Sequence, residues 1–501
     1  MSKPNRWVRS LVPYSDTMIA VAVVTVVLVL LLLVSAISRF FPDAVAQQST
    51  RPNIVVIMTD DQTLRDMEVM TNVNSLLVNT GTTFSNHFVN YSWCCPSRAT
   101  FLTGQVAHNH GVMSNAAPDG GYSKLDHSNT LAVWLQQAGY HTVAIGKYLN
   151  QYGLLEPRTT IPSGWTEWYV APDPDVYMYY NYSINENGTL VFYGEGEENY
   201  QTDVFSRKAT DFIVRMASSS TPFFLYVAVL APHDDLNSLT RGPEPALRHK
   251  GAFADRLLPV KASINELDVS DKPVVIQQFP IVDLSTIDRW TLNYQGRLES
   301  LLAVDEAVAS IINALKSVNK LKDTVVIFTS DNGFLIGEHR LWGHKIFPYE
   351  ESIRVPLVIR YPGYPRQARK EMVSNIDLAP TIVELAGASA GRVMDGRSLV
   401  PLLQGSTVPW RKSLLIEAVT GDLGLGVSSL NIHFSALRTS GYLYVEHDTG
   451  EKELYNFVND VCNVADPLQL TSQHANPCYA DLISRLSGQL NTLKTCAGDT
   501  C

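Results

Sequence analysis

Four apolar runs in this chain each stop on a polar side chain, and that repeated ending constrains the fold more than any other feature. Asn53–Thr59 (NIVVIMT) ends in Asp60-Asp61, and 141–145 (HTVAI) ends in Gly146-Lys147. Residues 222–230 (PFFLYVAVL) end in Ala231-Pro232-His233, and 324–329 (TVVIFT) end in Ser330-Asp331-Asn332-Gly333. Continuous runs rich in β-branched and aromatic residues are the pattern of strands buried on both faces, as in a parallel sheet. Open α/β sheets place their ligand sites just beyond the carboxyl ends of such strands. Asp331-Asn332-Gly333 alone is most simply a turn. Four such endings in one chain are not accounted for by turns.

The segments between the runs agree with a layered α/β fold. Residues 71–79, 129–138 (closed by Gly139), 203–217, 297–318 and 376–386 read as helices, and 355–360 reads as a further strand. The longest helix sets Leu301, Val304, Val308, Ile311, Ile312 and Leu315 on one stripe. Residues 151–201 are rich in Tyr, Pro, Asn and Gly and are expected to be irregular loops. Residues 234–280 show no periodicity but carry Arg241, Arg248, His249, Lys250, Arg256 and Lys261. These form either a solvated loop or a basic lip over an anionic substrate. After about Gly405 the texture changes to short strand-like runs at 413–418, 435–439, 442–446 and 453–455, with a helix over 480–493. The expected organisation is a catalytic domain over 51–404 and a small antiparallel-sheet subdomain over 405–501.

The first 46 residues read as a targeting segment. Lys3, Arg6 and Arg9 precede an apolar run over 18–37, and Ala44-Val45-Ala46 resembles a signal-peptidase site. The run is long enough to span a bilayer. A cleaved signal peptide and an uncleaved anchor are both open, and cleavage is preferred. Either way the basic lead places residue 51 onward outside the cytoplasm, so any membrane contact is through this segment. Cys462, Cys478, Cys496 and Cys501 form an even set suited to an oxidising compartment. Of their three pairings the most local, Cys462–Cys478 with Cys496–Cys501, is preferred. Asn90, Asn181 and Asn187 each begin a glycan acceptor pattern, of which the first stands too near Cys94 to be an attractive site. A net charge of −10 argues against a nucleic-acid partner, so an anionic substrate must be drawn in by a local group of cations.

The chemistry-bearing residues sort by type. Asp60, Asp61, Asp331 and Asn332 offer only oxygens, which suits Ca²⁺, with Mg²⁺ second, and does not suit zinc. Arg98, Lys147, His233 and Lys345 could surround an anion and protonate a leaving group. Cys94 stands just ahead of a helix start, with Pro96 suited to the first turn and Ser97 able to cap it. Arg98 and the helix N-terminus add positive charge there.

Cys94-Cys95-Pro96-Ser97-Arg98, with Leu102-Thr103-Gly104, resembles the signature of the type I, formylglycine-dependent sulfatase family, C-x-P-S-R-x-x-x-L-T-G. The resemblance extends to Asp60-Asp61, Gly146-Lys147, Pro232-His233, Asp331-Asn332-Gly333 and Lys345. It implies an alkaline-phosphatase-like α/β/α sandwich with a large mixed, mostly parallel sheet. It also implies a Cys94 converted by a formylglycine-generating enzyme to 3-oxoalanine, and one Ca²⁺ held by Asp60, Asp61, modified Cys94, Asp331 and Asn332. The hydrated aldehyde would attack sulfur, and its second hydroxyl would then expel sulfate. Arg98 would hold the hydrate, Lys147 and Lys345 the sulfate, and His233 would assist the leaving oxygen.

Leu149 stands where many sulfatases carry a histidine. The run Gly146-Lys147-Tyr148-Leu149-Asn150, with His108-Asn109-His110, is closer to the N-acetylglucosamine-6-sulfatase and extracellular heparan sulfatase branch. His110 and Asn150 are candidates for neighbouring roles. The implied substrate is a sulfated sugar or an aryl sulfate. The rival readings are a phosphate or phosphonate monoester hydrolase of the alkaline phosphatase superfamily and an inactive binding homologue.

Overall fold

The structure is a computed structural model describing residues 51–238, 242–419, 432–460, 462 and 464–501. The targeting segment over 1–46 and Arg241 lie outside these residues. Among the described residues no helix is long and apolar enough to cross a membrane.

Ten strands form one sheet: β1 (Asn53–Thr59), β2 (Thr82–Phe84), β3 (His141–Gly146), β4 (Glu167–Val170), β5 (Tyr182–Glu186), β6 (Thr189–Tyr193), β7 (Phe223–Ala228), β8 (Thr324–Ser330), β9 (Leu357–Arg360) and β10 (Gln367–Arg369). Their order is β10-β2-β9-β8-β1-β7-β3-β4-β5-β6. The five central strands, β8 to β4, are parallel. They include all four apolar runs of the sequence. β9 runs antiparallel to β8, and β5 antiparallel to β4.

Alternation along β1 places the sheet between two helical layers. Ile54, Val56 and Met58 pack with α1 (Cys94–Thr103), α2 (Leu131–Gln137) and α5 (Leu378–Ala386). Val55 and Ile57 face the opposite layer, with α3 (Gln201–Arg215) and α4 (Leu284–Ser317). The result is an α/β/α sandwich. A separate four-stranded antiparallel sheet runs over Ser413–Val419, His433–Thr439, Tyr442–His447 and Lys452–Asn456. One face packs on Tyr91, Trp93 and Leu335. The other packs on Leu486 and Leu490 of α6 (Ala480–Leu493). Cys462–Cys478 and Cys496–Cys501 are the disulfides.

Two expectations change. Residues 151–201 are not merely loops: they hold β4, β5 and β6. β6 is largely exposed, so it lacks the continuous apolar pattern that betrays a central strand. Its signal was Asn187-Gly188, the two-residue turn of the β5–β6 hairpin, with φ of 52° and 94°. The expected helix over 71–79 is a single α turn at Thr71–Val73 that widens into a π-helix at Asn74–Val78. Its first turn is capped by Asp305, which accepts from the backbone N–H groups of Asn72 and Val73 at 2.8 Å each. The glycan acceptor pattern at Asn90 is buried, its amide donating to the Leu415 carbonyl at 2.6 Å.

The basic residues of 234–280 do not form an open lip. Arg248 pairs with Asp203 and Glu306 at 2.7 and 2.6 Å, and His249 with Glu306 at 3.1 Å. Lys250 pairs with Glu244, Arg256 with Glu68, and Lys261 with Glu338 and Glu351. Each described member is matched by a carboxylate.

Candidate active site

The carboxyl ends of β1, β7, β3 and β8 lie side by side, so the parallel sheet gathers the four polar endings at one edge. Asp60 and Asp61 leave β1, His233 follows β7, Lys147 follows β3, and Asp331 and Asn332 follow β8. The first turn of α1 brings Cys94 in from the helical layer. Lys345 arrives on the loop beyond Asn332.

Cys94 is 1% exposed. Its sulfur lies 3.4 Å from Asp60 Oδ1 and 3.1 Å from Lys345 Nζ. Lys147 pairs with Asp60 Oδ2 and Lys345 with Asp61 Oδ1, both in close contact. Arg98 does not turn back to the thiol as expected. It spans two carboxylates, with Nη2 at 3.2 Å from Asp60 and Nε at 2.8 Å from Asp331. Ser97 does not cap its own helix either: its hydroxyl donates to the Asp331 backbone carbonyl and accepts from Asn375 Nδ2 at 3.0 Å. These bonds fix α1 against the end of β8. His233 Nε2 is 3.8 Å from Asp61 Oδ2, while Nδ1 lies 2.9 Å from the Asp234 carbonyl. That carbonyl can only accept, so Nδ1 carries the proton and the neutral ring turns a lone pair toward the carboxylates.

The electrostatics follow from burial and proximity. Burial opposes ionisation of Asp60, but Lys147, His233, Arg98 and Lys345 outweigh it and hold this carboxyl well below the usual range. Burial and the Asp60 charge push Asp331 up. Burial pushes His233 down to about 4. Burial, reinforced by Asp60, pushes the Cys94 thiol up to about 12 despite two neighbouring lysines. The unmodified thiol therefore stays protonated near neutrality and is no thiolate nucleophile. Cys95 is buried in the core, and burial pushes its thiol up to about 12 as well.

The oxygens fit a hard divalent cation. Asp60, Asp61 and Asp331 each present a carboxylate oxygen within 4.8 Å of the others. Asn332 Oδ1 is buried with no hydrogen-bond partner, while its Nδ2 donates to Asp61 at 2.6 Å. An orphaned carbonyl-type oxygen beside three carboxylates is a donor set for Ca²⁺ or Mg²⁺. Asp61 adopts a left-handed φ of 68°, a strained backbone of the kind held at ligand-binding positions.

The backbone around the site tolerates little change. Gly146, before Lys147, has φ of 100°, and a Cβ there would meet the Ala228 carbonyl oxygen at 1.9 Å. Gly146→Ala is expected to destabilise the protein by about 2–4 kcal/mol in denaturant titration.

The structure brings Asp60, Asp61, Cys94, Arg98, Lys147, His233, Asp331, Asn332 and Lys345 together, but not His110. That ring lies off the site: Nδ1 accepts from the Val112 N–H at 3.0 Å and Nε2 is 3.1 Å from Thr100 Oγ1. Asn150 does approach it, donating at 2.5 Å to the hydroxyl of Tyr177. Tyr177 was missed. Its ring lies 4.6 Å from Lys147 Nζ and 5.2 Å from the His233 ring, walling the space between them. It ends a short 3-10 helix, Asp175–Tyr177, in a stretch without periodicity, so no sequence signal marked it. Arg297 was also missed, although it stands at the head of the expected helix over 297–318, which in the structure begins at Leu284.

Residues 52–388 match the family described as Sulfatase, and residues 337–496 match that described as N-sulphoglucosamine sulphohydrolase, C-terminal. The chain is 33% identical over 496 residues to the N-acetylglucosamine-6-sulfatase of Homo sapiens, covering 91% of this chain and 87% of that one. It is 34% identical over 383 residues to a putative extracellular sulfatase Sulf-1 homolog of Caenorhabditis elegans, covering 73% and 52%. A solved structure in complex with its substrate, D-glucosamine-2-N,6-O-disulfate, superposes with a TM-score of 0.73 at 24% identity, covering 89% of this chain and 97% of that one. The phosphonate monoester hydrolase of Agrobacterium radiobacter gives 0.70 at 23% identity, covering 89% and 95%. These two likenesses are of fold.

Proposed function

Because the chain belongs to the sulfatase family and is a sulfuric ester hydrolase, we propose that it removes sulfate from sulfated amino sugars such as 6-sulfated N-acetylglucosamine units, outside the cytoplasm. The observation that carries this reading is the surroundings of Cys94. Its side chain sits at the first turn of α1, against Asp60 and Lys345, where three cations and three carboxylates converge. The 6-sulfatase relative supports the sugar, and the two disulfides support the compartment.

Conversion of Cys94 to formylglycine by a maturation enzyme would supply a hydrated aldehyde, whose paired oxygens can accept and then release a sulfuryl group. A Ca²⁺ would be held by Asp60, Asp61, Asp331, Asn332 and the modified Cys94, and would supply electrostatic stabilisation of developing negative charge. The remaining work falls to the chain's own side chains. With the carboxylates occupied by a cation, Lys147 and Lys345 are left to face the sulfate oxygens. Arg98 keeps Asp60 and Asp331 apart and aligned, at 3.2 and 2.8 Å. His233 sits at the rim, with 21% of its side chain exposed, and would deliver a proton to the departing sugar oxygen once Nε2 has taken one up beside the bound, negatively charged ester. Tyr177 closes the site between His233 and Lys147.

Turnover of N-acetylglucosamine 6-sulfate, 4-nitrophenyl sulfate and 4-nitrophenyl phosphate by the matured protein tests the proposal. Hydrolysis of both sulfates with little action on the phosphate is expected. A sulfate ester bears less charge than a phosphate and matches a site whose cations are already partly neutralised. Preference for the phosphate would establish the phosphomonoester reading instead. No turnover by protein with converted Cys94 would establish a binding homologue.

A further inference from the structure

We propose that Arg297 is a positioning residue of the hydrolytic site: one buried guanidinium that locks together three adjacent strand ends, each carrying a reacting or cation-binding group. The inference rests on the sulfatase reading above.

Arg297 is 1% exposed and projects from α4. Its Nη2 donates to the Asp61 carbonyl at 2.5 Å and its Nη1 to the Pro232 carbonyl at 3.0 Å. Its guanidinium carbon lies 3.9 Å from the centre of the Phe334 ring. Asp61 follows β1, Pro232 precedes His233 beyond β7, and Phe334 follows Asn332-Gly333 beyond β8. β1 lies between β7 and β8. A single side chain therefore reaches all three segments from the helical layer behind them.

Packing alone does not call for an arginine there. Position 297 lies within a buried stripe of α4, between Trp290 and Tyr294 on one side and Leu301, Val304 and Val308 on the other. An apolar residue would extend that stripe, whereas a buried guanidinium must be compensated by its partners. Here its hydrogen-bond partners are two backbone carbonyls of the site, and the Asp66 charge lies nearby. The rigid fork suits two acceptors at once. Its bond to Asp61 restrains a peptide at a left-handed residue, and its bond to Pro232 restrains the peptide leading into His233. Arg297 thereby sets the leaving-group imidazole relative to the carboxylates without touching substrate.

Arg297→Met keeps the aliphatic bulk and removes both donors, and Arg297→Lys restores one. In matured protein, Arg297→Met is expected to lower kcat on N-acetylglucosamine 6-sulfate about 100-fold, with little change in KM. On 4-nitrophenyl sulfate, whose leaving group needs no proton, the loss is expected to stay below about tenfold. Calorimetric Ca²⁺ binding to the unmatured protein is expected to weaken about tenfold, since loosened ligands lower metal affinity. Arg297→Lys should recover part of both losses. A larger loss on the sugar sulfate together with weakened Ca²⁺ binding supports the assignment. Equal losses on the two esters, unchanged Ca²⁺ binding, or no loss overturns it. If Arg297→Met does not fold, Arg297→Lys is read the same way. If the parent enzyme hydrolyses neither ester, the sulfatase reading fails, and the Ca²⁺ comparison alone decides the role of Arg297.

Discussion

Cys94→Ala is expected to remove sulfate-ester turnover by at least about 10⁴-fold while leaving the protein folded. Cys94 is buried at the first turn of α1, and its sulfur lies 3.4 Å from Asp60 and 3.1 Å from Lys345. Removing one sulfur deletes little packing, about 1 kcal/mol of stability, so a lost activity reports on chemistry. Cys94→Ser should be equally inactive on the proposed mechanism, since neither alanine nor serine provides the paired oxygens of a hydrated aldehyde. The parallel measurement is the mass of the peptide containing Cys94. Expression with a formylglycine-generating enzyme should lower it by about 18 Da, because a thiol and a hydrogen are exchanged for a carbonyl oxygen. Unconverted Cys94 in active enzyme, or full activity in Cys94→Ala, would remove this residue from the reaction.

Exhaustive chelation is expected to abolish turnover, and Asp61→Asn to reduce it by about 10²–10³-fold at saturating Ca²⁺. Three buried carboxylates face one another here, and Asn332 leaves an amide oxygen without a partner. Lys147 and Lys345 pair with Asp60 and Asp61, and a cation held by these carboxylates would compete with the lysines for them and free the ammonium groups for an anionic ester. Readdition of Ca²⁺ should restore activity and raise thermal stability, by about 2.7 kcal/mol at a concentration 100 times the dissociation constant. Mg²⁺ should restore less, since it requires a tighter octahedral shell than carboxylates on separate strand ends readily form. Activity unchanged after chelation, with no shift in melting temperature on readdition, would exclude a cation from these oxygens.

Much of the site was legible because its residues sit where linear pattern and three-dimensional position coincide. A buried parallel strand must be continuously apolar, and its first polar residue marks the sheet edge. Asp60, Lys147, His233 and Asp331 could therefore be placed together before any coordinates. The signature from Cys94 to Gly104 carried α1 with it. Strands β4 to β6 were not legible in this way, because partly exposed strands mix polar and apolar residues. Asn187-Gly188 was read for its glycan pattern when its conformational preference was the stronger information.

What the sequence by itself determined is the set of groups: three carboxylates and an amide, four basic side chains, and a cysteine, each attached to a recognisable strand end or helix start or to the loop beyond β8. Only the tertiary structure decided how those groups act on one another. It turned Arg98 from the thiol to two carboxylates, took Ser97 from its own helix to the end of β8, and removed His110 from the site. It also brought in Tyr177 and Arg297. The reason is that residue type and local periodicity are properties of a single segment, whereas these partnerships join residues far apart in the chain. Arg297 and Asp61 are 236 positions apart, yet meet at 2.5 Å. That meeting depends on how α4 packs across the strand ends.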